Sequence, residues 1–215
     1  MSDDYDPSIF ECLDEAEARF IVLTGSSQKE SAQRWTKETP WFRSDIVRRL
    51  GVAEHSRILD YGVGLGRMAK QVIRFTGCQV VGVDISDSMR RLAIEHVEAP
   101  SFSAISPEAL DQATRDGARF DGAYVLYVLQ HCRTPKDDIA RLKRALKPDG
   151  RLYVVNSVHR WVPTVGHGWR SDGQDVWKEL LDQLDLIEEW PFPEKIATAP
   201  EVAEETRCAV FRNRA

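Results

Sequence analysis

Three glycines at alternate positions could shape a ligand site in this 215-residue chain. Gly62, Gly64 and Gly66 follow an apolar stretch that ends in Asp60, and a helix-like stretch begins after them. Glycine tolerates positive φ and has no β-carbon, so a ligand can approach its main chain closely, and N–H groups at a helix start can bind polar or anionic groups. A tight turn that binds nothing has the same pattern, so the turn alone is a weak signal.

A second acid, Asp84, comes about twenty residues after the glycines, at the end of the apolar run QVVGV. In an open α/β sheet, an acid at this place accepts hydrogen bonds from ribose hydroxyls. A carboxylate at a strand end can instead cap the next helix, but Ser86 and Asp87 are available for capping. Asp84 is therefore predicted to bind a ribose.

The charge of Asp60 separates two classes of nucleotide cofactor. The dinucleotide fingerprint G-x-G-x-x-G/A requires a small third residue where this chain has Arg67. A carboxylate repels a neighbouring pyrophosphate, whereas it attracts an ammonium group. The pattern therefore favours a nucleoside with a positively charged amino-acid end over a dinucleotide.

These residues lie among segments that alternate between strand and helix patterns. Continuous apolar runs such as QVVGV and AYVLYV are typical of parallel strands that are covered on both faces. The predicted strands are 57–61, 79–83, 101–105, 122–127 and 151–156. The predicted helices are 67–75, 87–96, 107–115, 136–146 and 175–184. This order predicts a doubly wound α/β sheet with helices on both faces, and LIEEW and RCAVFRN are candidates for two more strands in a closing hairpin.

The first forty residues differ in character from the rest of the chain. They are polar and are interrupted by Pro7, Gly25 and Pro40, so a helical appendage made of short helices is expected over 1–40. A single α/β domain is expected over 41–215. It begins with WFRSDIVRRL, which is amphipathic and is followed by a glycine, as helices often are.

Composition argues against several classes of partner. The formal net charge is −5, so the protein's overall field does not attract nucleic acid or an anionic membrane. No apolar run approaches the length of a membrane span, and the acidic first residues are unlike a signal peptide. The four cysteines are scattered without a CxxC pair, which favours reduced thiols in the cytoplasm over a structural zinc site. The oligomeric state is left open.

Four segments together resemble the class I S-adenosylmethionine-dependent methyltransferases: ILDYGVGLGRMAK, VVGVDIS, FDGAYVLYVLQH and LKRALKPDGRLYVVNS. The resemblance covers residues 41–156 in the family's order and spacing. It implies a Rossmann-like, seven-stranded, mostly parallel sheet whose last strand is antiparallel. It also implies S-adenosyl-L-methionine as the cofactor and 41–215 as the methyltransferase domain.

The resemblance further implies roles for residues at the strand ends. Asp60 and the glycine turn would hold the methionine end of the cofactor, and Asp84 would bind its ribose. Ile85 and Met89 would pack on the adenine, and Ala104 and Ile105 would contact its edge. Val125 and Leu126 would contact the methionine moiety through their backbone groups. Plain core packing is the alternative for the first and the last of these pairs. Arg34, in the N-terminal part, is expected to approach the cofactor carboxylate.

Tyr127 ends the predicted fourth strand and His131 follows it, at the place where the methyl acceptor would approach. Amino-methylating DNA enzymes have an Asp/Asn-Pro-Pro-aromatic segment there and protein arginine methyltransferases a pair of glutamates, but this chain has LYVLQH. A small-molecule or carrier-bound acceptor is therefore expected. His131 is a candidate general base, with Tyr127 sharing a hydrogen bond to the acceptor, and the alternative is a structural histidine that caps the loop.

The function expected from these residues is methyl transfer from S-adenosylmethionine to a small-molecule or carrier-bound metabolite. The alternative is a non-catalytic protein with the same fold that binds S-adenosylmethionine as a sensor or assembly partner. A nucleotide-dependent oxidoreductase is disfavoured by the glycine spacing.

A long loop over 157–173 contains two tryptophans, three glycines, His159 and His167. It follows the fifth strand at the cofactor end of the sheet and is unusually long, so it is expected to form a lid over the pocket. Because no acid or cysteine stands at a ligand-like spacing from the two histidines, no metal site is expected.

Overall fold

The computed structural model describes residues 4–23, 28–166 and 168–214. Its strands are β1 Arg57–Tyr61, β2 Gln79–Val83, β3 Phe102–Ile105, β4 Phe120–Leu126, β5 Leu146–Ser157, β6 Val162–Thr164, β7 Gly168–Arg170, β8 Asp185–Pro191 and β9 Thr206–Arg212. Its α-helices are α1 Glu15–Leu23, α2 Gln28–Leu50, α3 Arg67–Thr76, α4 Asp87–Val97, α5 Pro107–Arg115, α6 Pro135–Ala145, α7 Val176–Gln183 and α8 Pro200–Glu204. Short 3₁₀ helices cover Pro7–Phe10 and Leu129–His131.

The main sheet has seven strands in the order β3-β2-β1-β4-β5-β9-β8. Strands β1 to β5 are parallel, and β9, the last strand, runs antiparallel to both β5 and β8. These observations confirm the predicted doubly wound, mostly parallel sheet with an antiparallel last strand. The chain leaves β1 for β2 on one side and reaches β4 on the other, and ligands bind at such a switch point, beyond the carboxyl ends of the strands.

Two apolar layers cover the two faces of this sheet. Side chains alternate along a strand, so Ile58 and Tyr124 belong to the layer that also contains residues of α2, α3 and α4, whereas Leu59 and Val125 belong to the layer with α5, α6 and α7. Asp60, two residues after Ile58, therefore points to the first face, where it meets Tyr124. The acid of the glycine motif is thus held against a packed core.

The N-terminal part contains a long helix rather than only short ones. Helix α2 runs from Gln28 to Leu50 with Pro40 inside it, so the predicted break at Pro40 is wrong. Proline removes one backbone donor, but Phe42 and Ile46 of the same helix are fully buried, and their packing outweighs that loss. The predicted boundary after residue 40 falls within α2, and the division into an appendage and a domain stays a prediction. Gly25 lies outside the described residues.

The last two strands of the chain pair with each other as expected. In their register Trp190 of β8 lies opposite Cys208 of β9. The closing hairpin that we predicted is not a tight one, because the connecting residues 192–205 contain α8. Phe192 in this connection is buried against the first face of the sheet, so the connection contributes to the core.

The stretch over 157–173, expected to form a lid, contains the antiparallel hairpin of β6 and β7. Arg160, only 3% exposed, anchors it through a two-pronged ion pair: Nε lies 2.7 Å from Oδ1 of Asp172 and Nη2 lies 2.9 Å from Oδ2. The guanidinium also donates to the carbonyls of Leu129, at 3.3 Å, and Arg133, at 3.1 Å. The hairpin is therefore fixed to the segment that follows β4.

The described ranges contain no helix that is long and apolar enough to cross a membrane. Nor do the described side chains include a group of three or more His, Cys, Asp and Glu residues placed to hold a metal ion. His167 lies outside the described residues. The four cysteines are all free thiols.

We predict that Arg160→Met destabilises the protein by about 3 kcal/mol, because the substitution leaves the Asp172 carboxylate without its partner. The value lies at the low end for a buried pair because Asp172 is 23% exposed. Urea denaturation measures the free energy of unfolding. The matched control is Arg170→Met on β7, an exposed arginine of the same hairpin, which should change it by at most about 0.5 kcal/mol. Equal losses in the two variants would contradict the anchoring role.

Candidate functional site

The glycine turn lies at the carboxyl end of β1 and leads into α3. Its three glycines have positive φ: 78° at Gly62, 50° at Gly64 and 78° at Gly66. The amides of Gly62 and Val63 both donate to the carbonyl of Val83 at the end of β2, at 2.7 and 2.9 Å. The turn is therefore bound to the neighbouring strand, and its place after β1 agrees with the sequence prediction.

Side chains pack directly onto this turn. A β-carbon at Gly62 would lie 2.1 Å from Cγ2 of Val128, and one at Gly64 would lie 2.6 Å from Cγ2 of Val22 on α1. Real β-carbons do not approach other atoms so closely, and both positions also require a φ that other residues rarely adopt. The turn therefore requires glycine at both places, and α1 covers it from the N-terminal side.

Asp84 joins the turns that follow β1 and β2. Its Oδ2 accepts the amide hydrogen of Gly64 at 2.8 Å, and its Oδ1 accepts that of Ser86 at 3.0 Å. Ser86 caps α4 by accepting the amide hydrogen of Met89 at 3.0 Å, as the sequence indicated. Burial raises the pKa of Asp84 although these backbone hydrogen bonds lower it. Each carboxylate oxygen accepts one backbone hydrogen and retains a lone pair for a further donor.

Asp60 is buried at the end of β1, where the hydroxyl of Tyr124 donates to its Oδ2 at 2.8 Å. Burial raises the pKa of Asp60 to about 7, and the negative charge of Asp84 adds to this rise. The hydrogen bond from Tyr124 and the positive charge of Arg67 oppose it. Asp60 can therefore exchange a proton near neutral pH, and a cation brought beside it would favour its charged form.

Arg34 on α2 lies close to the end of β4. Its guanidinium carbon is 5.3 Å from the ring centre of Tyr127, and its Nε donates to Oε1 of Glu38 at 2.8 Å. Glu38 is fully buried and also lies beside Arg67, the first residue of α3. The sequence analysis missed Glu38 and Arg67 as site residues, although the spacing of four residues between Arg34 and Glu38 is a recognised helix pair.

The residues assigned to the adenine lie in different surroundings. Ile85 is 48% exposed just beyond β2, whereas Met89 is 2% exposed in a cluster with Cys12 and Leu65. Ala104 and Ile105 of β3 alternate between the two faces: Ala104 packs on the first layer and Ile105 on the second. The carbonyl of Ile105 accepts the amide hydrogen of Asp84 at 3.2 Å. Of this set, Ile85 is the most exposed, Ala104 and Ile105 are half-buried, and the adenine contacts stay predictions.

Strand β4 ends in a change of backbone direction. Val125 packs in the second layer and Leu126 in the first, and Tyr127 then has a φ of 57°. The amide of Tyr127 donates to the carbonyl of Val155 at 2.7 Å. Its ring lies against Phe42 of α2, and burial raises the pKa of its hydroxyl, so the phenol stays neutral. Tyr127 thus belongs to the region of Arg34 and Phe42.

His131 lies on the opposite side of the same segment. Its Nδ1 is 2.7 Å from the carbonyl oxygen of Trp161 and its Nε2 is 3.2 Å from Nε2 of Gln130. A carbonyl only accepts, so Nδ1 carries the proton and Nε2 accepts from the amide of Gln130. Burial lowers the pKa of His131, which favours this neutral form. Its ring packs against Trp169 and Phe10, so the described contacts of His131 and Tyr127 are separate.

The N-terminal segment 4–12 runs along the carboxyl edge of the sheet. Tyr5 pairs with Thr164 of β6, and the amide of Asp6 donates to the carbonyl of Pro163 at 3.1 Å. At the other end, the Glu11 carboxylate accepts the amide hydrogens of Asp87 and Ser88 at the start of α4, each at 3.1 Å. These contacts join residues far apart in the chain, so no local spacing in the sequence signals them.

Known proteins share both sequence and architecture with this chain. A methyltransferase-domain family model matches residues 59–154. The chain is 28% identical to the O-methyltransferase resE of Aspergillus sclerotiorum, over 67% of this chain and 56% of that protein. It is 28% identical to the malonyl-[acyl-carrier protein] O-methyltransferase of Enterobacter lignolyticus, over 59% of this chain and 49% of that protein. The chain thus spans about half the length of these curated relatives.

Among solved structures, the fold is similar to the N-methyltransferase NodS from Bradyrhizobium japonicum in complex with S-adenosyl-L-homocysteine. The TM-score is 0.63 at 17% identity, and the likeness covers 94% of each chain. At this identity the likeness shows the fold alone. Three observations favour the same fold and domain type. They are the seven-stranded sheet, the glycine turn between two acids and the matching family model. Together these likenesses support a class I S-adenosylmethionine-dependent methyltransferase, and they imply S-adenosyl-L-methionine as its cofactor.

Proposed function

We propose that the protein transfers the methyl group of S-adenosylmethionine to a nucleophilic atom of a small-molecule or carrier-bound metabolite. One observation carries the proposal. Asp60 and Asp84, at the ends of adjacent strands, flank a glycine turn that is hydrogen-bonded to Asp84. One relative is named for a substrate on an acyl-carrier protein, which supports a carrier-bound acceptor as one form of this substrate class.

The residues present fit this cofactor. Asp60 is suited to an ammonium group, and Asp84 has lone pairs for ribose hydroxyls. When bound, S-adenosylmethionine would supply a methyl group on a positively charged sulfur. Transfer of this group to the acceptor atom would leave S-adenosylhomocysteine as the second product. The protein's part is then to hold the two reactants in line and to exclude water, and such positioning can supply much of the rate.

His131 is suited to take a proton from the acceptor. Its neutral ring carries the proton on Nδ1, which donates to the carbonyl of Trp161, so Nε2 is the basic atom. Nε2 accepts a hydrogen bond from the side-chain amide of Gln130, whose oxygen in turn accepts the amide hydrogen of Ser157 at 2.6 Å. This amide has to turn away before Nε2 can take a proton. Protonation at Nε2 would leave the bond to Trp161 intact, and that bond stabilises the imidazolium.

Methyl-labelled S-adenosylmethionine tests the proposed reaction directly. The protein is incubated with a metabolite extract, with an acyl-carrier protein bearing a carboxyacyl thioester, and with DNA and RNA. We expect label in the small-molecule or carrier fraction. Label in nucleic acid alone would contradict the proposal, and tight binding of S-adenosylhomocysteine without any transfer would favour the non-catalytic alternative.

We predict that the affinity for S-adenosylhomocysteine rises with pH through the titration of Asp60. Its pKa of about 7 in the free protein means that below this pH the ligand's ammonium group meets a neutral acid. The affinity should therefore rise about tenfold between pH 6 and pH 8, measured by calorimetry. Methylthioadenosine, which lacks the amino-acid end, is the control and should not show this rise. A pH dependence that survives in Asp60→Asn would assign it to another group.

We predict that His131→Asn lowers single-turnover methyl transfer by about a hundredfold while leaving S-adenosylhomocysteine affinity near wild type. The wild-type rate should rise with pH as the imidazole loses its proton, with a midpoint below the ordinary histidine value because burial lowers this pKa. The variant should lack that inflection. His159→Asn, at an exposed histidine, is the control. A lower melting temperature with an unchanged single-turnover rate would return His131 to a structural role.

A further inference from the structure

A buried group of charges lies next to the glycine turn and is not explained by the fold alone. Glu38 of α2 is fully buried between two arginines. Arg34 Nε lies 2.8 Å from Oε1 of Glu38, and Arg67 Nη1 lies 3.7 Å from Oε2. The group therefore contains two guanidinium ions and one carboxylate. Burying charges without full pairing is costly, so a guanidinium whose neighbouring carboxylate is shared with Arg34 gains from a further anionic partner.

The two arginines differ in how their donors are used. Arg34 donates through Nε and Nη2 to both oxygens of Glu38, and through Nη1 to the carbonyl of Leu23. Arg67 is only 6% exposed, and within the described part of the chain its buried Nη1 finds no hydrogen-bond partner. Burial lowers the pKa of Arg67 and Glu38 raises it. The guanidinium carbon also lies 5.8 Å and 5.9 Å from the ring centres of Trp35 and Phe42, and neither ring supplies an oxygen to Nη1. A buried donor without a hydrogen-bond partner calls for an explanation, and an oxygen of a ligand at Nη1 would provide one.

The position of Arg67 suggests which ligand group this is. Arg67 is the first residue of α3, directly after Gly66, and Asp60 stands at the other end of the same turn. The charge of Arg67 acts on Asp60, so the two side chains share one electrostatic environment. The amino-acid end of the cofactor carries one ammonium and one carboxylate group. An acid and an arginine at the two ends of the turn match that pair of charges.

We propose that Arg67, through Nη1, binds the carboxylate at the amino-acid end of the cofactor, and that Arg34 and Glu38 hold Arg67 in place. This differs from the sequence expectation, which gave that contact to Arg34. Arg34 becomes a positioning residue, because its donors are already bound to Glu38 and Leu23. The inference rests on the proposed use of S-adenosylmethionine, and its test separates the two.

Calorimetry with two ligands isolates the carboxylate. S-adenosylhomocysteine has the carboxylate, and its decarboxylated analogue lacks only that group. We expect the wild-type protein to bind the first at least about tenfold more tightly, which is the scale of a hydrogen bond to a charged group. Arg67→Met should remove this preference by lowering the affinity for S-adenosylhomocysteine, while the affinity for the analogue should change by less than about twofold. Arg74→Met, at an exposed arginine of the same helix, is the control and should keep the preference.

Several outcomes would overturn the proposal. Equal binding of both ligands by the wild type would do so without any variant, so the test holds even if Arg67→Met fails to fold. A variant that keeps the preference, or that loses affinity for both ligands equally, would also overturn it. Arg67→Lys, which keeps the charge but loses the planar fork, should retain part of the preference. No binding of either ligand or of methylthioadenosine by the wild type would refute the proposed function instead.

Discussion

The hydrogen bond from the Gly64 amide to Asp84 connects the turns that follow β1 and β2, and the rest of the site is arranged around it. It forms because the two strands are adjacent and parallel, in a register that pairs Tyr61 with Val83, so both turns leave the sheet at one edge. A shift of one residue in either strand would send its acid to the opposite face. Gly64 makes this bond with a positive φ, and α3 and α4 begin shortly after its two partners.

Burial acts on the charged groups at this edge in a consistent direction. It raises the pKa of Asp60 and of Asp84 and lowers that of Arg67, so in each case it favours the neutral form. Each of these groups therefore gains from a ligand that brings the opposite charge or a polar partner. A zwitterionic amino-acid end beside a ribose offers such partners to all three. Without a ligand these three groups lack partners that S-adenosylmethionine would supply.

Sequence reasoning found the groups whose positions are set by local pattern. Asp60 and Asp84 end apolar runs, and Ser86 caps α4 as its place before a helix predicts. Sequence reasoning missed partners that tertiary folding brings together. Examples are Glu11, which binds the start of α4, and Asp172, which forms an ion pair with Arg160. The break expected at proline 40 failed for a related reason, because packing of α2 onto the sheet outweighs local propensity. Patterns within one element were readable, whereas contacts between elements were not.

The two sides of the site differ in how much of them belongs to the matched family region. That region spans residues 59–154 and contains both acids, the glycine turn and His131. The rings around His131 come from outside it: Phe10 from the N-terminal segment and Trp169 from the hairpin, while Trp161 supplies the carbonyl at Nδ1. The matched region therefore contains the residues proposed for the cofactor, whereas the rings that surround His131 come from segments outside it. Residues outside the matched region also contact the glycine turn and its surroundings, because Val22 of α1 packs on Gly64 and Glu11 binds the start of α4. Changes in the N-terminal part would therefore reach the hydrogen bond between Gly64 and Asp84 as well.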